Sequence, residues 1–442
     1  MNRKENDNMT KQRFGMVLPI TLLAYFLILM DNSIIFTSAT EIGQSLHLSN
    51  AGLAWISNAY TLTFGGFLLL AGRLSDLLGR KRIFLIGLLI FGFSSLMIGL
   101  SDQVAVVIAM RALQGIGSSI IAPTTLALMM DAYQGEMREK AIAYYGATAG
   151  IGSSVGLLVG GGLTTFFSWE AGFLINVPLT LLLVFLAIKF VPNTPRTKTP
   201  IDLIGAILSV LALVAIIEGL TSNQWLTIVI GAVLFIIFII YEARIENPLL
   251  PLTLFKNRVR SGAYLARLLF MMAMLPYWFF VPQVLQESYH FTALTAGLGF
   301  FPLTVVNFIA SLYLPKLTNR LGNNLVLLIG EIFLLIGMTW TALSDLSAGY
   351  WLAIALPMTV IGLGQGLVLA PVTSAGLYQA PNHLSGIASG LTNTAHQVGG
   401  PIGLSLIVAT TTKYHGEIGM MALYTGIALI VVASLVTRKV GK

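Results

Sequence analysis

Seven side chains that carry charge at neutral pH stand out by their surroundings. Asp31, Arg111, Glu218, Arg267, Glu287 and Glu331 lie within or beside apolar runs, and Asp76 lies in a short loop. Asp31 interrupts YFLILMDNSIIFTSA (25–39), and Arg111 stands in MRALQGIG (110–117). A carboxylate taken out of water must pair, accept hydrogen bonds or bind a proton, because its isolated charge is costly there. An Asp with an Arg in reach therefore has two uses. The pair is either a static tie between two elements or a reversible proton site whose protonation frees the arginine. A buried ion pair is weak evidence for stability. A charge at the centre of an apolar span costs about 2.5 to 3.5 kcal/mol, so the second use makes Asp31 a functional candidate.

Other chemistries find no support. The chain has no cysteine, which removes disulfides, thiol catalysis and cysteine-held metals. It shows no HExxH metal motif, no P-loop and no nucleophile elbow. A membrane enzyme and an ATP-driven pump are set aside on that ground, and no cofactor or metal is expected beyond a proton gradient.

The elements that position these charges follow from composition. Of 442 residues 56% are hydrophobic and only 10% charged, with a mean hydropathy of +0.84. A membrane helix needs about 20 apolar residues, and the sequence divides into fourteen such runs. They must be helices, since the hydrocarbon core offers no water to backbone polar groups. Lys and Arg gather in the N-terminal tail (Arg3, Lys4, Lys11, Arg13), in alternate connections and in the C-terminal tail (Arg438, Lys439, Lys442). The opposite connections carry only Lys413, which predicts that both termini are cytoplasmic. The net charge of +7 is thus spread over loops. With no compact basic domain, a nucleic-acid partner is not expected.

Two charged breaks, VPNTPRTKTPID (191–202) and YEARIENPLLPLTLFKNRVR (241–260), isolate a two-helix hairpin between two six-helix blocks. The expected organisation is a tail over 1–13, a first bundle over 14–191, a linker over 192–201, the hairpin over 202–242, a linker over 243–257, a second bundle over 258–437 and a tail over 438–442. The blocks repeat one another. GRLSDLLG (72–79) returns as PKLTNRLG (315–322), IIAPTT (120–125) as VLAPVT (368–373), and Gly152 and Gly156 as Gly399 and Gly403, all at offsets between 243 and 248. Transporters built from repeats hold their sites at the midplane between the repeats.

Helical rise places the charges in depth. At about 1.5 Å per residue, Asp31 lies about 25 Å from the cytosolic start of its run and Arg111 about 10 Å from the outer start of its own. Both then fall in the outer half of a core about 30 Å thick and can meet. Glu287 falls about 39 Å along its run, at the outer rim. It is either a wetted loop carboxylate or a second proton site facing Asp31 across a cavity. Glu218 and Glu331 read as structural or headgroup-facing, and Arg267 as a snorkelling or loop-pairing arginine. Trp55, Tyr60, Met274, Tyr277 and Trp278 are the candidate cavity lining, because methionine adapts to shape and aromatic faces attract organic cations. Gly152, Gly156 and Gly160 share one helix face, which would let that helix approach a partner in the other half.

The sequence resembles the major facilitator superfamily in GRLSDLLGRKR (72–82). It resembles the fourteen-span drug/proton antiporter branch in MDNSIIFTSATEI (30–42), WISNAYTL (55–62), RALQGIGSSIIAPT (111–124), SWEAGFLINVPL (168–179) and SGLTNTAHQVGGPIG. The resemblance implies an all-α integral membrane protein of the major facilitator fold: two six-helix bundles, an inserted hairpin and fourteen transmembrane helices in all. It implies a multidrug efflux antiporter in the cell membrane, acting as a monomer on small-molecule drugs and protons, with Asp31 and Arg111 in proton coupling. An apolar cavity carrying one or two carboxylates suits lipophilic cationic or zwitterionic drugs. A transporter of a single metabolite or lipid-like compound is the alternative. Gly72, Asp76, Gly79, Arg80, Arg82 and Asp131 correspond to a conformational latch in which Arg80 or Arg82 pairs with Asp131. Asp76 would face the start of span 13 with His383 assisting. Two departures from the branch pattern are Leu157, where it has proline, and His396, where it commonly has arginine.

Overall fold

The computed structural model describes residues 14–193, 202–381, 384–411 and 414–437. The tail cations Arg3, Lys4, Lys11, Arg13, Arg438, Lys439 and Lys442, together with His383, Lys413 and the side chain of Asp76, lie outside the described residues. The chain forms α1 (Val17–Ser45), α2 (Asn50–Leu78), α3 (Arg80–Gly99), α4 (Val104–Ala132), α5 (Gly135–Phe166), α6 (Trp169–Leu174), α7 (Asn176–Phe190), α8 (Leu203–Thr221) and α9 (Trp225–Glu242). It continues with α10 (Arg258–Glu287), α11 (Ala293–Leu298), α12 (Phe301–Leu321), α13 (Asn323–Leu343), α14 (Leu356–Gly376), α15 (Ser385–Thr410) and α16 (Tyr414–Thr437). Among the described residues thirteen helical stretches are long and apolar enough to cross a membrane, with α6–α7 and α11–α12 each serving as one stretch. The more polar α15 is not among them, although its 26 residues amount to about 39 Å.

Helix boundaries have local causes. Ser49 accepts the Gly52 N–H at the start of α2, and Asn257 accepts those of Val259 and Arg260 at the start of α10. The α6–α7 break falls where Pro178 lacks the N–H that would bond the Leu174 carbonyl. A π turn, Trp351–Ala355, leads into α14 ahead of Pro357. The α2–α3 and α12–α13 turns each pass through one glycine with positive φ, Gly79 at 92° and its repeat counterpart Gly322 at 80°. A side chain at either would meet its own backbone.

In the first block α1 packs on α5, α2 on α4, and α3 on α4 and α7. In the second, α10 packs on α15 and α16, α12 on α14, and α13 on α14 and α16. The α8–α9 hairpin leans on α2 and α15. Between the blocks, α2 meets α15, α1 meets α10, and α5 meets α11. The end at which α1 begins is called the near end and the opposite one the far end.

Candidate functional site

Asp31 lies midway along α1 and is fully buried. Its Oδ2 accepts a bond from Arg111 Nη1 at 3.0 Å, and its Oδ1 accepts from Gln114 Nε2 at 2.9 Å and Asn176 Nδ2 at 2.6 Å. Arg111, also fully buried, donates from Nη1 to Gln114 Oε1 at 2.7 Å and from Nε to the Ile56 carbonyl at 3.1 Å. Its guanidinium carbon stands 4.3 Å from the centre of the Tyr60 ring. Ser95 Oγ accepts the other Gln114 N–H at 2.7 Å. Five helices, α1, α2, α3, α4 and α7, therefore join one network around this carboxylate, and three donors, from α4 and α7, converge on it as they would on an ionised acid. Gln114 reaches the site because it follows Arg111 by three residues and shares its face. Asn176 reaches it because α7 restarts at that residue.

Close packing of α5 on α1 holds the carboxylate in place. A Cβ at Gly152 would stand 3.0 Å from Leu29 Cβ, one at Gly156 2.7 Å from the Met30 carbonyl oxygen, and one at Gly160 2.7 Å from Ile34 Cα. The glycine face was expected to meet the other half, and instead it packs against α1 of its own block. Those residues flank Asp31, and only glycine permits so short a separation. The repeat keeps the rule, since Gly399 and Gly403 face Leu268 and Met272 of α10. Contact across the blocks uses the neighbouring face. A Cβ at Gly161 would stand 2.5 Å from the Ala293 carbonyl oxygen, and one at Gly297 2.7 Å from that of Leu157.

A cavity of about 1020 Å³ runs from mid-depth to the near end between the blocks. At the far end it is closed: Gln286 Nε2 donates to the Thr37 carbonyl at 3.2 Å, and the Leu294 N–H donates to Thr165 Oγ1 at 3.0 Å. Of the expected lining, Met274 and Trp278 face the cavity, and Trp55, Tyr60 and Tyr277 do not. Tyr60 is drawn under Arg111 with its hydroxyl donating to Ser118 at 2.8 Å. Tyr277 packs edge-on against Phe300, and Trp55 is half-buried with its indole nitrogen unpartnered among the described residues. Asp31 sits behind the wall formed by Ile28, Leu29, Asn32 and Ser33. Glu287 is exposed at the far-end terminus of α10, so it neither lines the cavity nor faces Asp31. The expected carboxylates are thus missing from the wall: among the described residues its charged members are Arg73, Arg80 and Arg267. Arg267, expected to snorkel or pair with loop groups, instead lines the cavity, and Asn307, Gln365 and the stacked Tyr25 and Tyr145 are lining residues that sequence reasoning passed over.

At the near end Arg80, rather than the exposed Arg82, forms the ion pair with Asp131 and also donates to the Ala127 carbonyl at 2.9 Å. Gly72 borders the cavity mouth. Glu331 is 1% exposed, and neither of its carboxyl oxygens has a hydrogen-bond partner among the described residues. Glu218 is half-buried and accepts the Ser222 hydroxyl at 2.7 Å.

A multi-pass helical protein whose two blocks enclose a large cavity, with a buried acid behind its wall, belongs among membrane transporters and not enzymes. The chain is a member of the Major Facilitator Superfamily, whose family model matches residues 21–404. It is 34% identical over 399 residues to the uncharacterized MFS-type transporter EfpA of Mycobacterium tuberculosis, covering 87% of this chain and 74% of that one. It is 32% identical over 409 residues to the cephamycin export protein CmcT of Amycolatopsis lactamdurans, covering 89% and 84%. The fold is similar to the crystal structure of the POT family transporter PepTSo, with a TM-score of 0.75 at 15% identity over 97% of this chain and 98% of that one.

Proposed function

We propose that the protein is a proton-coupled efflux antiporter for lipophilic drugs, working by alternating access as a monomer in the cell membrane. In this reading α15 is span 13 and completes the set of fourteen, the bundles are 14–191 and 258–437, the hairpin is 202–242, and the near end with both termini is cytosolic. The observation that carries it is the fully buried Asp31, held by Arg111, Gln114 and Asn176 directly behind a cavity that opens toward one end only.

The cycle follows from that geometry. With the cavity open to the cytosol, Asp31 is ionised and satisfied by its three donors, and a drug settles against Phe36, Met274 and Trp278. Parting of Gly161 and Gly297 from their neighbours opens the far end. Water entering from outside delivers a proton to Asp31, which loosens Arg111 and the α1–α4 contact as the drug departs. Return to the near-end-open state restores the donors around Oδ1 and Oδ2 and expels the proton inward. Arg80, Asp131, Gly72 and Gly79 form part of the latch that times the near-end motion. Exchange of one drug against protons needs no second acid on the cavity wall.

The test is transport in proteoliposomes under an imposed pH gradient. Drug movement should follow the gradient and collapse with a proton ionophore. Movement indifferent to both would overturn proton coupling while leaving a transporter.

A further inference from the structure

Of the charged wall groups among the described residues, the foregoing uses neither Arg73, at the mouth, nor Arg267, deeper in. Arg267 of α10 is only 8% exposed, yet it lines the cavity. Its one hydrogen bond among the described residues runs from Nη1 to the Leu369 carbonyl at 3.2 Å, and its Nε is buried without a partner. No acid answers it, since the described lining contains neither Asp nor Glu. The two other lining arginines stand at the mouth, where Arg80 pairs with Asp131 and Arg73 donates to the Pro248 carbonyl at 3.0 Å. Four further buried polar atoms on the wall, Asn32 Oδ1, Asn307 Oδ1, Gln365 Oε1 and His396 Nδ1, are also without partners among the described residues.

A buried guanidinium without a counter-ion is costly, and its planar fork matches a carboxylate, sulfonate or phosphate. Beyond it the wall is apolar, with Phe36 and Trp278 in contact at 6.1 Å between ring centres. We propose that Arg267 is the anion subsite of this cavity, so that the preferred substrates are amphiphiles with an anionic group at Arg267 and an apolar body against Phe36, Met274 and Trp278. Amide oxygens of Asn307 and Gln365 then receive hydroxyl or ammonium donors of the same molecule, which admits zwitterions and disfavours simple lipophilic cations. The proposal rests on the transport reading for the cavity's purpose, and it identifies the substrate class. The anionic group belongs either to a drug or to a lipid headgroup.

Equilibrium binding separates this from the transport reading. The probes are dansyl-undecanoic acid and its methyl ester, which differ in one negative charge, with binding to the full chain in neutral detergent read from quenching of tryptophan fluorescence. A hydrogen bond to a charged group is worth about 1.5 to 3 kcal/mol, so the acid should bind about tenfold to a hundredfold more tightly than the ester. Arg267→Gln should remove that preference, and Arg267→Lys should restore part of it. Equal binding of acid and ester by the unaltered protein would overturn the proposal without recourse to any variant. So would an equal loss for both probes in Arg267→Gln. Competition by phosphatidylglycerol but not phosphatidylcholine would identify a lipid headgroup as the source, and competition by neither would identify the free acid. An acid preference without gradient-driven flux would leave the subsite standing and sink the antiport reading; flux with no acid preference would do the reverse.

Discussion

Replacing Arg111 by glutamine removes the one cation paired with a fully buried carboxylate among the described residues. Breaking a buried pair from one side costs about 3 to 5 kcal/mol. Here Gln114 and Asn176 still donate to Oδ1, while Gln114 Oε1 and the Ile56 carbonyl lose their donor. The two surviving bonds argue for the lower end, about 3 kcal/mol, or roughly a hundredfold in the folded-to-unfolded ratio. Asp31→Asn should cost less, because Arg111 keeps the Gln114 and Ile56 acceptors. The double variant carries neither charge and should return to within about 1 kcal/mol of the parent, since neutral replacement of a buried pair is often tolerated. Stability is read from intrinsic tryptophan fluorescence during graded unfolding in detergent. If Arg111→Gln loses less than about 1 kcal/mol, or the double variant is no more stable than Arg111→Gln, the pair is not the mutual support described.

Gly156→Leu should destabilise by about 1 to 3 kcal/mol through overpacking of α5 on α1 and should impair exchange. Gly146→Ala, where a Cβ meets nothing within 4 Å, should be neutral or slightly stabilising in the same unfolding assay. Glu331→Leu removes a buried carboxyl with no partner among the described residues and should raise the unfolding midpoint, with a fall as the opposing result. Glu287→Gln, at an exposed helix end, should leave proton-driven drug exchange within about twofold of the parent. A complete loss would return Glu287 to the coupling machinery.

Much of the architecture was legible because a bilayer leaves few choices. Long apolar runs located the helices, although α1 runs on through Thr40, Glu41 and Gln44 to Ser45, past the apolar stretch that marks it in the sequence. Hydropathy tells what must be dry and not where a helix stops in water. The meeting of Asp31 with Arg111 was legible from depth. Gln114 could have been found from its spacing to Arg111, whereas Asn176 depended on a helix break. Which way a helix faces was the weak point. In α10, apolar on nearly every side, periodicity cannot separate the cavity face from the buried one. Grouping Met274 and Trp278 with Tyr277, and reading Arg267 as snorkelling or loop-pairing, both follow from that ambiguity. The four-residue spacing of the α5 glycines marks a close-packing face in the sequence, but its partner, α1, is set by topology.

The central claim is that Asp31 carries the exchanged proton, and its most direct measurement is the number of protons moved per drug molecule in proteoliposomes. The parent protein should move protons in a fixed ratio to drug. Asp31→Asn should still bind drug from the near-end side, since the side chain lies behind the wall, and should move no coupled protons. An unchanged proton-to-drug ratio in Asp31→Asn would contradict the account.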